Sequence, residues 1–243
     1  MKQRLYDLMD WAGIEELVYS EASDPGRLLG EHVIKEGLLI QAFLPNAAKV
    51  SVKIGEESFP MEMADENGFF AVLLEDRLEL VPYHFLVTYE DGDSEEIVDP
   101  YSYQFYTAFT EEEVKKFGAH PTVEAGISGV HFAVWAPDAM RVSVVGDFNF
   151  WDGRRHQMKK RGPSGIYEIF IPGLKPGTIY KYEIKTKAGD PMLKADPYAN
   201  FSELRPNTAS VIWDMTDYQW NDGEWIEKRK AAKDRLKDSP MSI

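Results

Sequence analysis

GVHFAVWAPDAMRVSVVGDFNFWDGRRH, residues 129–156, is the stretch of this sequence that decides the fold. Its apolar residues recur at every second position in two runs, which are Val130, Phe132, Val134 and then Val142, Val144. A period of two is typical of β-strands that bury one face. The Pro137-Asp138 pair between the runs is a turn signal. The stretch therefore predicts two strands joined by a turn.

The alternation ends at Asp147, and the residues that follow are rich in aromatic rings. Phe148, Phe150 and Trp151 stand beside Asp152-Gly153, a dipeptide typical of turns. A strand would bury such rings, whereas a turn places at least one of them on a loop. We therefore expect a loop here that carries a large aromatic ring.

The same pattern occurs earlier in the chain and indicates an internal repeat. Gly37 and the run Val50-Ser51-Val52 correspond to Gly129 and Val142-Ser143-Val144. Further matches follow in the same order, namely Leu29-Gly30-Glu31-His32 with Phe117-Gly118-Ala119-His120, Tyr83-His84-Phe85 with Tyr180-Lys181-Tyr182, and Asp99-Pro100-Tyr101 with Asp196-Pro197-Tyr198. Ordered agreement over a whole unit is the signature of related domains in tandem.

Length and composition allow each repeat its own core, since the chain has 243 residues of which 44% are hydrophobic. Short strands punctuated by Gly and Pro are typical of β-sandwiches. The sequence predicts an all-β fold of two tandem immunoglobulin-like β-sandwich domains with short flanking and linker helices. The expected domains are 1–118, an acidic amino-terminal module, 119–222, the second sandwich, and 223–243, a linker helix.

Strands and helices are both expected at definite places. The clearest strands are at 50–54, 69–74, 83–89, 142–145, 167–171 and 180–185. Helices are expected near 3–10, between the repeats and over 224–237. Thr110 and Glu113 form a capping box for the helix between the repeats, and Gly118 suits its C-terminal cap.

The composition excludes several functional classes. The chain has no Cys, which excludes disulfides, thiol catalysis and cysteine metal sites. Its 5 His residues show no metal-ligand spacing, so neither a metal nor another cofactor is expected. Residues 1–21 have mixed charge, unlike a secretory signal, and no apolar run is long enough to span a bilayer. We therefore expect a soluble, cytoplasmic protein without a membrane partner.

The net charge of −14 is concentrated in the first repeat. Residues 1–118 carry 9 Lys+Arg against 25 Asp+Glu, whereas residues 119–243 carry 18 against 16. Such an acidic half disfavours nucleic acid as a partner. The second repeat contains one short basic cluster, made of Arg154, Arg155, Lys159, Lys160 and Arg161. We interpret this cluster as a solvated hairpin face.

A series of motifs in the second repeat resembles the amino-terminal part of bacterial 1,4-α-glucan (glycogen) branching enzymes. In chain order these are FAVWAPDAMRVSVVGDFNFWDGRRH, SGIYEIFIPGL, YKYEIKT, KADPYA and RPNTAS. The second repeat resembles the family 48 carbohydrate-binding module of those enzymes. The first repeat, with DPGRLLGEH at 24–32, resembles the additional amino-terminal module of the longer ones. The resemblance implies a protein of glycogen biosynthesis.

In that family, two carboxyl groups of a catalytic barrel cut an α-1,4 linkage through a covalent intermediate and rejoin the chain to a 6-hydroxyl. Residues 239–243 resemble the lead-in to this barrel, but the barrel's motifs do not occur within the 243 residues. The resemblance therefore implies the non-catalytic part of a truncated enzyme, without catalytic residues and inactive alone. The barrel is then an expected partner.

The expected ligand is α-glucan, such as glycogen or maltooligosaccharides, and the expected site is the aromatic tip. Trp151 offers a flat apolar face to a sugar ring, while Asn149 and Lys181 offer hydrogen bonds. The alternative is that Trp151 packs under its own loop or against the barrel. The glycogen-binding module of AMP-activated kinase β subunits is similar through GDFNFW and YKY. That resemblance places its sugar-contacting Trp and Lys on Trp151 and Lys181, but its second platform Trp has no counterpart at 190–193.

Three further features have structural interpretations. Trp135 ends an alternating strand and is expected in the core. His32 and His120 lie at matched positions after a Gly, so a shared structural hydrogen bond is expected. The Asp of each Asp-Pro-Tyr motif is expected to end a strand and anchor a turn by bonding locally.

Two other functional interpretations stay open. The chain is also compatible with a free-standing glucan-binding or interaction module that has no enzyme attached. A third interpretation is the amino-terminal part of a related debranching or trehalose-forming enzyme. Two modules in tandem with GDFNFWDGRRH favour the branching enzyme.

Overall fold

The computed structural model describes residues 3–102, 117–187, 189–215 and 220–232. Residues up to Trp213 form one compact unit, and those from Asp214 onward form another. The first unit contains two β-sandwiches, which confirms the predicted fold class. The second unit contains one described helix, α3 (Gly223–Ala232). Each helix in the described ranges is too short or too polar to cross a lipid bilayer.

The first sandwich consists of two four-stranded antiparallel sheets, ordered β1-β2-β6-β5 and β4-β3-β7-β8. Its strands are β1 (Gly30–Ile34), β2 (Gly37–Phe43), β3 (Ala47–Ile54), β4 (Glu57–Pro60), β5 (Glu62–Asp65), β6 (Phe69–Leu74), β7 (His84–Tyr89) and β8 (Ser94–Ile97). Alternate side chains of β2, β3, β6 and β7 fill the space between the sheets, as the period of two predicts.

The second sandwich repeats this plan in sheets ordered β12-β13-β10-β9 and β11-β14-β17-β16, with β15 also paired to β14. Its strands are β9 (Gly118–Glu124), β10 (Ile127–Trp135), β11 (Ala139–Val145), β12 (Lys159–Lys160), β13 (Ile166–Pro172), β14 (Ile179–Thr186), β15 (Met192–Lys194), β16 (Phe201–Ser202) and β17 (Ser210–Val211). The neighbouring strands β1-β2-β6 and β3-β7 of the first sandwich correspond to β9-β10-β13 and β11-β14 of the second. The six strands predicted from sequence are all present.

Two short helices precede the first sandwich, α1 (Gln3–Asp7) and α2 (Trp11–Val18). The helix expected near 3–10 is therefore shorter, because Asp10 instead caps α2 by accepting a hydrogen bond from the Gly13 amide at 3.1 Å. Ile14 and Leu17 of α2 belong to the same apolar cluster as the outward-facing residues of β2. This explains why β2 is buried on both faces along its whole length.

That apolar cluster continues into the second sandwich, so the two sandwiches are packed together within one unit. Polar contacts also join them. The Tyr101 hydroxyl donates to the Gln157 carbonyl at 2.9 Å, and the Lys160 amide donates to the Ser23 carbonyl at 3.0 Å. Lys185 Nζ reaches a carbonyl oxygen just after α2 at 2.7 Å. The domain boundaries at 118 and 222 stay predictions.

The linker helix predicted around Thr110–Glu113 lies outside the described residues, and Gly118 opens β9 with a φ of 106°. The helix expected over 224–237 is present as α3 up to Ala232, and its remainder also lies outside the described residues.

Matched residues of the repeat make matched hydrogen bonds. His32 Nε2 lies 3.2 Å from the Leu29 carbonyl oxygen, and His120 Nε2 lies 2.9 Å from the carbonyl oxygen of the matching Phe117. This confirms the structural role predicted for both histidines.

The two Asp-Pro-Tyr motifs are equally alike. Asp99 accepts from the amide of Tyr101 at 2.9 Å, and Asp196 accepts from that of Tyr198 at 2.8 Å, which confirms the predicted local anchors. Each Asp also accepts from the hydroxyl of a buried Tyr, and the two Tyr residues occupy matched positions of the repeat. The distance is 2.5 Å in the first sandwich and 2.6 Å in the second.

The prediction for Trp135 is wrong. Its side chain is 56% exposed, and Nε1 donates to the Ser164 carbonyl at 3.2 Å. Successive residues of a strand point to opposite faces of the sheet, and Val134 takes the buried face of β10.

Candidate functional site

The predicted aromatic tip is an irregular loop of residues 146–157, called the tip loop below. The chain leaves β11 after Val145 and returns so that Gln157 bridges to Ser143. Gly146 is required at its start, since a Cβ there would lie 2.5 Å from the Ile179 carbonyl oxygen. At Gly153 a Cβ would overlap the Glu183 carboxylate, so that side chain would have to shift. The loop is thus packed closely onto the end of the sheet.

Asn149 holds the tip loop together from inside. Its Oδ1 accepts from the Gly146 amide at 3.0 Å, while Nδ2 donates to the Val144 carbonyl at 2.8 Å and to His156 Nδ1 at 2.9 Å. The side chain has 0% exposure. A group without surface offers no direct hydrogen bond to a glucan, so we correct its expected role from ligand contact to loop support.

His156 is held as the partner of that amide. Burial, together with the nearby Arg155 charge, lowers the pKa of His156 to about 3. The imidazole is therefore neutral near pH 7, and its Nδ1 is free to accept the hydrogen bond from Asn149.

Trp151 is half-buried in the middle of the tip loop, where hydrogen bonds fix both its backbone and its side chain. Its amide donates to the Gly146 carbonyl at 2.9 Å, and its indole Nε1 donates to Asp147 Oδ1 at 2.7 Å. Phe150 and Trp151 both have a φ of 58°, in the left-handed region. The loop therefore presents the indole in one defined direction.

Lys181 lies at the same end of the sheet as Trp151. It pairs across β11 and β14 with Val145, the residue directly before Gly146. Its Nζ donates to Thr208 Oγ1 at 2.8 Å. An ammonium has three donors, so this contact orients the group while leaving it able to bind a ligand hydroxyl.

Thr208 is a site residue that the sequence alone did not single out. It lies in a surface loop ordered by Glu203, whose carboxylate accepts from the Ala209 amide at 3.0 Å and from Asn207 Nδ2 at 3.1 Å. Its membership in the RPNTAS motif was the available signal, but nothing in that motif indicated the contact with Lys181.

A buried cation supports the sheet beneath the tip loop. Arg141 is 1% exposed and donates to the Gly153 carbonyl and to Ser143 Oγ, both at 2.6 Å. It also forms an ion pair with Glu183. A buried charge needs such partners, and here the partners include the tip-loop backbone.

The basic cluster is only partly what the sequence predicted. Arg155 is 6% exposed, so the expected solvated face is wrong at this residue. Arg154 pairs with Asp152 at 2.7 Å, and Arg161 pairs with Glu168 at 2.5 Å. These three arginines are therefore paired with or buried among groups of the protein itself.

The hairpin after β14 presents exposed apolar side chains at 190–193, where the second platform Trp of the kinase module has no counterpart. Met192 and Leu193 are 42% and 48% exposed, and Leu193 pairs with Glu183 of β14.

Among the described residues, no three His, Asp or Glu side chains converge to form a metal site.

Comparison with known families agrees with this architecture. Residues 10–101 match the model of the amino-terminal domain of alpha-1,4-glucan branching enzyme GlgB. Residues 116–199 match the model of carbohydrate-binding module 48, also described as the isoamylase N-terminal domain. The two matches coincide with the two sandwiches.

Three similar curated proteins are each named 1,4-alpha-glucan branching enzyme GlgB. The chain is 41% identical to that of Rubrobacter xylanophilus over 95% of its length, 42% identical to that of Paramagnetospirillum magneticum over 90%, and 41% identical to that of Thermosynechococcus vestitus over 95%. It spans 33%, 30% and 32% of these relatives, respectively. Among solved structures, a pullulanase from Anoxybacillus sp. LM18-11 reaches a TM-score of 0.35 at 15% identity, over 79% of this chain and 28% of that chain, which is too low to support an argument.

The order of the two matched modules and the identity along nearly the whole chain lead to one assignment. The chain corresponds to the non-catalytic amino-terminal part of GlgB-type 1,4-alpha-glucan branching enzymes, with a carbohydrate-binding module 48 as its second sandwich.

Proposed function

We propose that this chain binds α-glucan at the end of the second sandwich, and that it holds glucan for the branching reaction of a 1,4-alpha-glucan branching enzyme. The observation that carries the proposal is the fixed, half-buried indole of Trp151 at the same sheet end as Lys181. The relatives named above provide the enzyme class.

The chemistry of the site fits a sugar chain. A pyranose ring has an apolar C–H face that stacks on an indole, and its rim of hydroxyls needs hydrogen-bond partners. Trp151 supplies the face, while Lys181 supplies donors next to Thr208. Because Asp147 already fixes the indole, little side-chain freedom is lost when the sugar binds.

Two partners belong to the proposal, α-glucan and the catalytic barrel of the branching enzyme. A cytoplasmic location is part of the same proposal. The reading frame beyond Ile243 tests the partnership with the barrel. A continuation into a (β/α)₈ barrel supports it, and a stop codon directly after Ile243 contradicts it.

Native gels that contain soluble glycogen test the glucan site. We expect the parent chain to be retarded, Trp151→Ala to lose about thirtyfold in affinity, as for the loss of a central aromatic anchor, and Lys181→Ala to lose less. Trp135→Ala is the matched control, because this tryptophan is 56% exposed on the other sheet of the same sandwich. Equal migration of all four proteins, or an unretarded parent, contradicts the site.

A further inference from the structure

Four side chains join the tip loop to the first sandwich, and we call them the interdomain clamp. They are Tyr89 at the end of β7, Glu95 in β8, and Phe150 and Arg155 in the tip loop. Tyr89 is 8% exposed and Arg155 is 6% exposed. The clamp therefore places a buried tyrosine of one sandwich against the loop that carries Trp151 in the other.

A chain of polar contacts runs through the clamp. Arg155 Nη2 donates to the Tyr89 hydroxyl at 2.5 Å, and that hydroxyl in turn donates to the Glu95 carboxylate. Arg155 and Glu95 also form an ion pair at 3.8 Å. Burial, followed by the hydrogen bond to Glu95, raises the pKa of Tyr89 to about 12. The hydroxyl thus keeps its proton and links the two charges.

The rings of the clamp pack around the same guanidinium. Arg155 Cζ lies 5.3 Å from the Tyr89 ring centroid and 5.4 Å from that of Phe150. The two rings meet edge to face, with centroids 5.8 Å apart at 78°. Cation–π and edge-to-face contacts both depend on ring position, so Phe150 is located by Tyr89 as well as by its own loop.

The backbone at Phe150 gives this contact its importance. Phe150 and the following Trp151 both occupy the left-handed region, which bulky L-residues disfavour. Such conformations persist only where the surroundings hold them. Tip-loop hydrogen bonds hold both backbones, since the Trp151 amide donates to the Gly146 carbonyl at 2.9 Å and the Phe150 amide to the Asp147 carbonyl at 3.2 Å. The side chain of Phe150, a residue that is 65% exposed, has its aromatic contact on the first sandwich.

We infer that Tyr89 of the first sandwich is a positioning residue for the glucan site of the second, acting through Arg155 and Phe150 on the direction in which Trp151 faces. The inference rests on the proposed function for its ligand. The acidic amino-terminal module thereby has a role in glucan binding. It has this role although the first sandwich has a short turn and strand β4 where the second sandwich has the tip loop.

The test uses the full chain and follows the indole Nε1–H resonance of Trp151 and the affinity for maltoheptaose. In Tyr89→Ala we expect this resonance to move and the affinity to fall by about two- to thirtyfold, the range of an indirect coupling. Tyr89→Phe retains the ring and is expected to lose less. Tyr83→Phe is the matched control, since it removes a hydroxyl bound to Asp99 inside the first sandwich.

Each outcome decides the inference. An unchanged Trp151 resonance and affinity in folded Tyr89→Ala overturn it, as does an equal effect in Tyr83→Phe. If Tyr89→Ala does not fold, Arg155→Lys replaces it, because lysine retains the charge but not the planar group between the rings. If the parent fails to bind maltoheptaose, the proposed function fails, and the movement of the Trp151 resonance alone decides whether the clamp positions the loop.

Discussion

In the first sandwich, β3 passes through a tight turn at Gly55 into β4, and Ser51 pairs with Pro60. In the second, the matching Ser143 bridges to Gln157, but the tip loop stands where that turn and β4 stand in the first. The strands around this edge pair in the same way in both sandwiches. The frame is therefore shared by the two sandwiches, and the candidate site was added at one edge of it, where a longer connection costs little.

The largest expected difference between the repeats concerns Arg141 and its counterpart Lys49. Arg141→Ala leaves Glu183 in a largely buried site without its partner, so we expect the free energy of unfolding to fall by about 3–5 kcal/mol. Lys49 is exposed, and Lys49→Ala should change stability by less than about 0.5 kcal/mol. Urea unfolding of both variants checks this. Similar losses of unfolding free energy at the two positions would contradict the expected difference.

The pH dependence of stability provides the next largest difference. The pKa of His156 is lowered to about 3 in the folded chain, below its ordinary value of 6.5. Its contribution is therefore fully present above pH 6.5 and is lost as the pH falls from there toward 3, by at most about 1.4 kcal/mol per pH unit. Unfolding free energies measured between pH 7 and about 4 should fall more steeply for the parent than for His156→Gln, and parallel curves would show that His156 carries no such proton linkage.

The smallest expected difference concerns the two buried tyrosine–aspartate pairs. Asp99 accepts from the Tyr83 hydroxyl, whereas Asp196 accepts from the Tyr180 hydroxyl and also from that of Tyr182 at 3.3 Å. At pH 8, Tyr83→Phe should cost about 2 kcal/mol of unfolding free energy and Tyr180→Phe less, because the second carboxylate keeps a partner. Thermal and urea unfolding measure both, and a larger loss for Tyr180→Phe would reverse the account of these pairs.

Much of the frame could be predicted from sequence because it depends on local periodicity and on repetition. The strands followed from alternation at positions such as Val142 and Val144. The equivalence of His32 and His120 followed from matching one repeat to the other. These features depend on residues near each other in the chain or on a pattern that occurs twice.

The candidate site was less predictable because its contacts are made over long sequence distances. Asn149 has a polar side chain in a loop, which is typical of a ligand contact, but the tip loop folds around it. The partner of Arg155 is Tyr89, 66 positions earlier in the chain, so a local count of charges misassigned it to solvent. Trp135 was assigned to the core against the alternation of its strand, which buries Val134 and puts Trp135 on the opposite face.

The measurement that tests the central claim most directly is a titration of the full chain with maltoheptaose, observed through the indole Nε1–H resonances. The chain has 6 Trp residues, so each resonance reports on one place in the molecule. If the tip loop of the second sandwich is the glucan site, the Trp151 resonance moves most and saturates with the ligand, while that of Trp11 in α2 stays in place. Saturable movement at other tryptophans with Trp151 unchanged would contradict the account.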